Sequence, residues 1–473
     1  MDRTFCWEAL ATRALARRAL GRWKAFARKA RPAVASCALA AGLASCSGST
    51  DVERPNVLLI ISDTTRADRI GCFGNERGLT PAIDALAADG VRFAAAYSHA
   101  PWTLPSTASL LTSLHPTEHG AGGQVPEFTG LDADAESVVE VFQEAGWRTG
   151  AVVNVDFLAA SFGLARGFDW VDEKWFPSNS NVRRATPTTD AALGWLRENG
   201  DEPFFLLVHY FDPHAVYDPP GDYRKRFASA QDRDNEEFVF GTRRDMMALR
   251  QGQLELDPEV IARAADLYDG EVAYTDAQIG RLLDHLKSSG LDERTVVVFT
   301  ADHGEEFLDH GGFEHGHSMF DELLRVPLIV RWPGGPRGRV VDEVVRHIDL
   351  APTLCGLAGL PVPEQFAGAS LLDVRADRPV LAHGNFWGEP RTAFVSRGYK
   401  FIVDAQQRGA LFELSGDPRE KKNLVLERPE VVERMRRELE TMEAHLQAAA
   451  AGEPIEMTPD VEEMMRSIGY LGD

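Results

Sequence analysis

Two apolar patterns alternate along this chain. In the first, short runs are apolar at nearly every position: "NVLLII" at 56–61, "PFFLLV" at 203–208, "TVVVF" at 295–299 and "VPLIV" at 326–330. A strand without polar alternation is buried on both faces, as in a parallel sheet covered by helices. In the second, apolar residues recur three or four apart: "TPAIDALAADG", "ESVVEVFQEAG", "TPTTDAALGWLRENG" and the long "DPEVIARAADLYDGEVAYTDAQIGRLLDHLKSSG". The first of these reads as a helix capped near Thr80 and stopped by Gly90. Strands alternating with helices predict an α/β fold with a central, mostly parallel sheet flanked by helices.

After about residue 375 the pattern changes. "RTAFVSRGYKFIVDAQQRGALFELSGDPREKKNL" alternates apolar and polar positions around turn signals, and "RPEVVERMRRELETMEAHLQAAAA" is amphipathic at helical spacing. This predicts a small C-terminal subdomain, an antiparallel sheet plus a helix, over 376–473, after a main catalytic domain over 55–375.

The first 54 residues fit neither pattern. Basic "RKARP" precedes the small-residue apolar run "AVASCALAAGLA", and "LASC" ends at Cys46. A basic region, a short apolar region and small residues before a cut describe a secretory signal over 1–45. The apolar run is too short to span a bilayer. Leu-Ala-Ser-Cys resembles the bacterial lipobox, which implies lipidation of Cys46, a tether over 46–54 and a lipid-anchored protein at the extracytoplasmic face of the bacterial envelope, membrane-bound or periplasmic. A plain secretory signal is the other reading. The basic stretch before Arg31 is unusual for a signal and leaves the true start codon open.

Charge narrows the partners. The chain has 50 Lys and Arg against 72 Asp and Glu; residues 1–45 hold nine of the former and two of the latter, leaving 41 basic and 70 acidic residues beyond. Phosphate neutralisation needs clustered Lys and Arg, so nucleic acid is excluded as a partner. Five cysteines without a Cys-x-x-Cys give no zinc-ribbon or redox motif, and of these only Cys72 and Cys355 lie in the folded body.

Three of the apolar runs lead into residues that carry chemistry. They are Asp63 in "IISDTTRAD", Asp212 and His214 in "HYFDPH", and Asp302 and His303 in "FTADHG". Ligands of open α/β sheets bind outside the carboxyl ends of the strands. A lone Asp after a strand is usually a turn or cap residue, but carboxylates together with imidazoles form a divalent-metal set. His310, His315 and His317 follow in a Gly-rich segment. His317, just before an apolar pair, is the better functional candidate, and for His310 and His315 an incidental role is equally weighted.

The string "HAPWTLPSTASLLTS" at 99–113 carries hydroxyls at Thr103, Ser106, Thr107 and Ser109. Its place becomes clear from a resemblance. "PNVLLIISDTTRAD", "GCFG", "TPAIDALAADGVRFAAAYS", "LPSTASLLTSLHPTEHG", "LYDGEVAYTDAQIGRLL", "TADHGEEF" and "LLRVPLIVRWPG" together resemble the sulfatase family of the alkaline phosphatase superfamily. The C-terminal "GYKFIV…LFELSGDPREKKNL" is similar to that family's C-terminal subdomain. The resemblance implies an enzyme, a hydrolase with a divalent metal at the carboxyl edge of the sheet.

Sulfatases carry Cys-x-Pro-Ser-Arg, with the Cys oxidised to formylglycine. Here Thr103 stands at the Cys position and Thr107 at the Arg position, so formylglycine cannot form. Other branches of the superfamily use Thr in this place as a metal-bound nucleophile for phosphoryl transfer. The resemblance therefore implies Thr103 as nucleophile, with Ser106 as the N-cap of the following helix. It implies Asp63, Thr103, Asp302 and His303 as metal ligands, and His214 and His317 as catalytic side chains. Arg66 and Asp212 are carried over as substrate-binding candidates; Arg66 reads equally as a structural ion pair. Thr64 replaces a second Asp common in the family, which lowers the oxygen count that calcium prefers and suits zinc or manganese at least as well. One ion or two both fit, since Asp212, His214 and His317 form an alternative second set.

The expected function is metal-dependent hydrolysis or transfer of phosphate or sulfate esters, phosphoryl esters favoured, on a small-molecule, lipid or glycan substrate. The alternatives are a non-catalytic binding protein that keeps the fold, and a sulfuric ester hydrolase that works without formylglycine.

Overall fold

The computed structural model describes residues 54–446 apart from 125–126, 174–182, 236 and 407, together with 454–455, 458–459, 462 and 465–466. The expected signal segment, Cys46, nearly all of the tether and most of the loop "WVDEKWFPSNSNVRR" lie outside the described residues. The described residues fall within one compact unit, Val52–Asp473.

An eight-stranded sheet organises this unit. Its strands are β1 (Asn56–Ser62), β2 (Val91–Tyr97), β3 (Arg148–Val152), β4 (Trp170–Asp172), β5 (Phe204–Tyr210), β6 (Thr295–Thr300), β7 (Arg325–Arg331) and β8 (Arg339–Arg346). Their spatial order is β8-β2-β7-β6-β1-β5-β3-β4. Every neighbouring pair is parallel except those made by β7, which runs antiparallel to both β2 and β6.

The apolar runs behave as their patterning requires. All seven residues of β1 are buried. Val57, Leu59 and Ile61 enter one core with Leu104, Ala108 and Leu111 of helix α2 (Thr103–Thr112), while Leu58 and Ile60 enter the opposite core with residues of the long helix Pro258–Ser288. Each such Leu or Ile contributes about 1.5–3 kcal/mol through burial. The helix α1 spans Pro81–Ala88 with Thr80 at its N-cap position and Asp89 at its C-cap, directly before Gly90.

Helix α2 starts earlier than the sequence pattern indicates. Trp102 occupies its N-cap position and Thr103 its first turn. Ser106 is therefore not the N-cap. Its hydroxyl donates to the Asp302 carbonyl at 2.5 Å and accepts from Ser98 at 2.8 Å, which clamps α2 onto the end of β6.

The C-terminal part forms a four-stranded antiparallel sheet, β9 (Val380–His383), β10 (Arg391–Ser396), β11 (Tyr399–Asp404) and β12 (Gly409–Glu413), followed by the helix Pro429–Glu443. One face packs on Tyr97, Met319 and Leu324; the other packs on Val431, Met435 and Leu439 of the helix. The buried Lys400 amine links this sheet to the body, 2.5 Å from Asp321 and 2.8 Å from Glu420. Cys72 and Cys355 are both free thiols.

Candidate active site

The site is built by strand register. Ile61 of β1 lies opposite His209 of β5 and Thr300 of β6. Asp63 and Asp302 each follow two residues after a paired position, Ile61 and Thr300, so the parallel register carries both carboxylates past the sheet edge side by side. Asp63, His209 and Asp302 each present a ligand atom within 4.8 Å of the others. His303 Nε2 lies 3.5 Å from Asp63 Oδ1 and 3.4 Å from Asp302 Oδ2. Thr103 Oγ1 lies 3.3 Å from the same nitrogen. The expected ligands Asp63, Asp302, His303 and Thr103 are therefore linked by direct contacts, while the group whose ligand atoms all lie close together joins Asp63 and Asp302 to His209, which the sequence did not single out.

All five side chains are buried, and their polar atoms are poorly satisfied by protein. Both Asp63 oxygens, Asp302 Oδ2 and His209 Nε2 are buried without a hydrogen-bond partner among the described residues. Such atoms are costly to leave unpaired. His303 contacts the Gly304 carbonyl through Nδ1 at 3.0 Å. That bond orients the ring, so Nε2 faces carboxylate oxygens. Burial and the neighbouring Asp302 carboxylate push Asp63 well above the usual carboxylate range, with His303 opposing. Lone pairs converging on one buried point fit a divalent cation, and the donors present match that requirement.

The local backbone is built for this convergence. Thr64 sits in the left-handed region, at φ 51°, unusual for a β-branched residue and a source of strain at functional sites. Its N–H donates to Asp302 Oδ1 at 3.3 Å, tying together the two loops that carry Asp63 and Asp302. Gly304 allows a close crossing: a Cβ there would lie 1.9 Å from the Glu322 carbonyl.

His214 and His315 form the next layer. The His315 ring lies 4.5 Å from that of His303 and 5.0 Å from that of His214. Glu305 accepts from Tyr217 at 2.8 Å and pairs with His315 Nδ1 at 2.9 Å, fixing the His315 ring. Burial holds His214 down to about 4, and burial with the neighbouring His303 and His214 lowers His315 well below its usual value.

Other expected site residues stand apart. Arg66 is not turned to the carboxylates: its guanidinium is bound by Asp68 and Asp309 and donates to the Glu305 carbonyl. The structural ion-pair reading is the one observed. Asp212 instead accepts the Ala185 N–H at 2.7 Å, at the start of the helix Ala185–Asn199. His317 pairs with Glu306 at 2.8 Å and packs against Trp387. Asp212, His214 and His317 are thus not gathered as a second ligand set. His310 pairs with Glu322 and stacks on Phe320, a structural role.

The sulfatase family model matches residues 55–360. The chain belongs to the sulfatase family. A model for the N-sulphoglucosamine sulphohydrolase C-terminal region matches residues 308–445, the stretch that holds the Gly-rich loop and the four-stranded sheet. This sulfatase is 27% identical to the arylsulfatase of Clostridium perfringens over 442 residues, 79% of this chain and 90% of that protein. The phosphonate monoester hydrolase of Agrobacterium radiobacter superposes with a TM-score of 0.69 at 22% identity, over 86% of this chain and 100% of that one. A structure solved with its substrate, D-glucosamine-2-N,6-O-disulfate, superposes with a TM-score of 0.70 at 21% identity, over 83% and 98% of the two chains. As a member of this family the chain is an ester hydrolase with a central, mostly parallel α/β sheet.

Proposed function

We propose that this chain is a metal-dependent ester hydrolase of the cell envelope that turns over phosphoryl esters better than sulfate esters, with Thr103 as nucleophile. The observation that carries the reading is the Thr103 hydroxyl, in the first turn of α2, against His303 and the Asp63–Asp302 pair.

Asp63, His209, Asp302 and His303 would hold a divalent cation, which would supply positive charge against the transferred group and lower the pKa of a neighbouring hydroxyl. Zinc or manganese suits this mixed carboxylate and imidazole set better than calcium, which takes six to eight oxygens. Thr103 Oγ1 attacks phosphorus, the bond to the leaving oxygen breaks, and that oxygen takes up a proton. The positive end of α2 faces the same point and favours the anionic group. His214 contacts the Ala215 carbonyl through Nδ1 at 2.7 Å, which assigns its Nε2 as an acceptor. It is neutral near pH 7 and suited to take the proton of an incoming hydroxyl, then return it to a leaving oxygen. Water attack on the phosphorylated Thr103 releases phosphate and restores the hydroxyl.

The single hydroxyl of Thr103 is the reason to favour phosphorus. A formylglycine hydrate has two hydroxyls; one attacks sulfur and the other expels sulfate by elimination. Thr103 has no second hydroxyl, so a sulfated Thr103 would need a second displacement at sulfur. A phosphorylated Thr103 is open to in-line attack by water. The similarity to the phosphonate monoester hydrolase supports this substrate class. The arylsulfatase relative and the structure solved with a sulfated glucosamine favour a second reading, a sulfate ester on a glycan. Steady-state kinetics across aryl phosphomonoesters, phosphodiesters, phosphonate esters and sulfate esters separates the two. Higher kcat/KM for phosphoryl esters is expected, and a clear preference for aryl sulfates overturns the reading. Bound metal without turnover of any ester would favour a non-catalytic binding protein.

The envelope location rests on "LASC" at 43–46. Lipidation of Cys46 supplies more than one acyl chain, enough for stable anchoring. Intact-mass analysis of membrane fractions tests it, and a soluble mature form that starts elsewhere would refute it.

A further inference from the structure

Beside the loop that follows β1 lies a cavity of about 460 Å³. Its walls come from the segment after β1, the Gly-rich loop, the start of β7 and the turn that carries Arg419 and Lys421 in the C-terminal region. Arg66 stands between this cavity and the metal-binding loops, with its guanidinium donating to the Glu305 carbonyl.

The carboxylates of this cavity are already engaged. Asp68 and Asp309 hold Arg66, Asp321 holds Lys400, and Glu322 pairs with His310. Two of its remaining cations have no carboxylate partner. Arg325 and Arg419 form no ion pair among the described residues. Arg325 gives Nη2 to the Ala94 carbonyl at 2.6 Å, while its buried Nε has no hydrogen-bond partner. The buried Nε of Arg69 also lacks one; it lies 3.8 Å from Asp68, and Nη1 lies 3.5 Å from Asp269. Lys421 reaches only the Asp309 carbonyl by hydrogen bond. Two guanidiniums without a carboxylate partner, Arg325 and Arg419, stand out in a chain that holds 72 acidic and 50 basic residues.

We propose that this cavity is an anion site, separate from the catalytic centre, which takes a sulfate or phosphate group on Arg69, Arg325 and Arg419. Guanidinium groups that line a cavity without a carboxylate partner, as Arg325 and Arg419 do, are the donors that a tetrahedral oxyanion satisfies, and Arg matches such groups by its fork geometry. The source is a free inorganic ion or the charged group of a sugar ester; the recognition chemistry is the same. The proposal does not rest on the catalytic reading, since no catalytic side chain contributes to it.

Calorimetric titration of chelator-treated protein tests it. Without a cation the carboxylates of the catalytic centre repel anions, so binding there is suppressed. Sodium sulfate and sodium phosphate form one arm, and glucosamine 6-sulfate and glucosamine 6-phosphate form the other, all at constant ionic strength because screening weakens such contacts. One saturable site is expected. Binding by the inorganic ions identifies a free-ion site, and binding by the esters alone identifies a sugar-ester site. Arg419→Glu and Arg325→Gln should each weaken Kd by roughly tenfold or more, the value of a charge-assisted contact. Arg419 is exposed on a turn, so its variant folds whatever Arg325→Gln does, and metal-loaded Arg419→Glu should hydrolyse esters as wild type does. No saturable binding by the wild type, or an unchanged Kd in Arg419→Glu, overturns the proposal.

Discussion

The Thr103 hydroxyl and the His303 imidazole meet at 3.3 Å across 200 residues of chain. Neither position is set by its own neighbours alone. Thr103 is held by the first turn of α2, and His303 by the crossing that Gly304 permits under the Glu322 carbonyl. The catalytic predictions follow from that meeting.

Thr103→Ala should lower kcat/KM by about 10³-fold or more, as loss of a nucleophile does elsewhere. Thr103→Ser keeps the hydroxyl and should retain turnover within about tenfold of wild type. Mass spectrometry of quenched reactions should find phosphate on Thr103. Near-normal turnover by the alanine variant would assign the attack to water instead.

His209→Ala and Asp302→Ala should each strip metal from the purified protein, read by elemental analysis. Asp212→Ala should keep its metal, because Asp212 bonds the start of a helix rather than the metal group. Its cost is stability, about 0.5–2 kcal/mol for a lost cap, read by urea unfolding. Normal metal content in His209→Ala would exclude this residue from the ligand set.

Thr64→Asp restores a carboxylate beside Asp63 and places at φ 51° a residue that tolerates the left-handed region better than Thr does. The expected outcome is a shift in metal preference toward calcium, measured by competition between calcium and zinc. An unchanged preference would show that the residue at 64 does not reach the ion.

Acid should destabilise the protein through histidines away from the metal site. Burial lowers His115 and His119 to about 3 and His383 to about 4. Unfolded, each titrates near its ordinary value of about 6.5. Between those values the unfolded chain binds more protons, so stability is complete above about pH 6.5 and falls as pH drops toward 4. Each group contributes up to about 1.4 kcal/mol per pH unit in that window. Asp276, raised by burial to about 7, acts in the opposite sense as its folded form takes up a proton. The variant His383→Asn isolates the histidine effect: its urea midpoint should fall less than that of wild type from pH 7 to pH 5. Equal falls in the two proteins would refute the assignment.

Asp63, Asp302 and His303 were legible in the sequence because buried apolar runs end there, and the carboxyl edge of a parallel sheet is a place for ligands. Thr103 was legible only through the family motif, since its hydroxyl looks like any first-turn residue. His209 was missed. It sits inside the apolar run "FFLLVHYF", and a single His within a strand gives no local sign of facing a metal group. The register that sets Ile61 opposite His209 supplies that sign. Asp212 was read toward the site because it follows a buried apolar run, and Arg66 as a candidate to bind an anionic oxygen. Their actual partners, Asp309 and the Ala185 N–H, come from distant segments.

By itself the sequence determined the layered α/β architecture, because burial on both faces demands uninterrupted apolar runs and helix faces demand apolar spacing of three to four. It also determined the chemistry available at the strand ends. The tertiary structure alone decided which side chains share one point and which turn away. That depends on strand register, on the direction of β7 and on close crossings such as Gly304 under Glu322, all of which are relations between distant segments that no local pattern encodes.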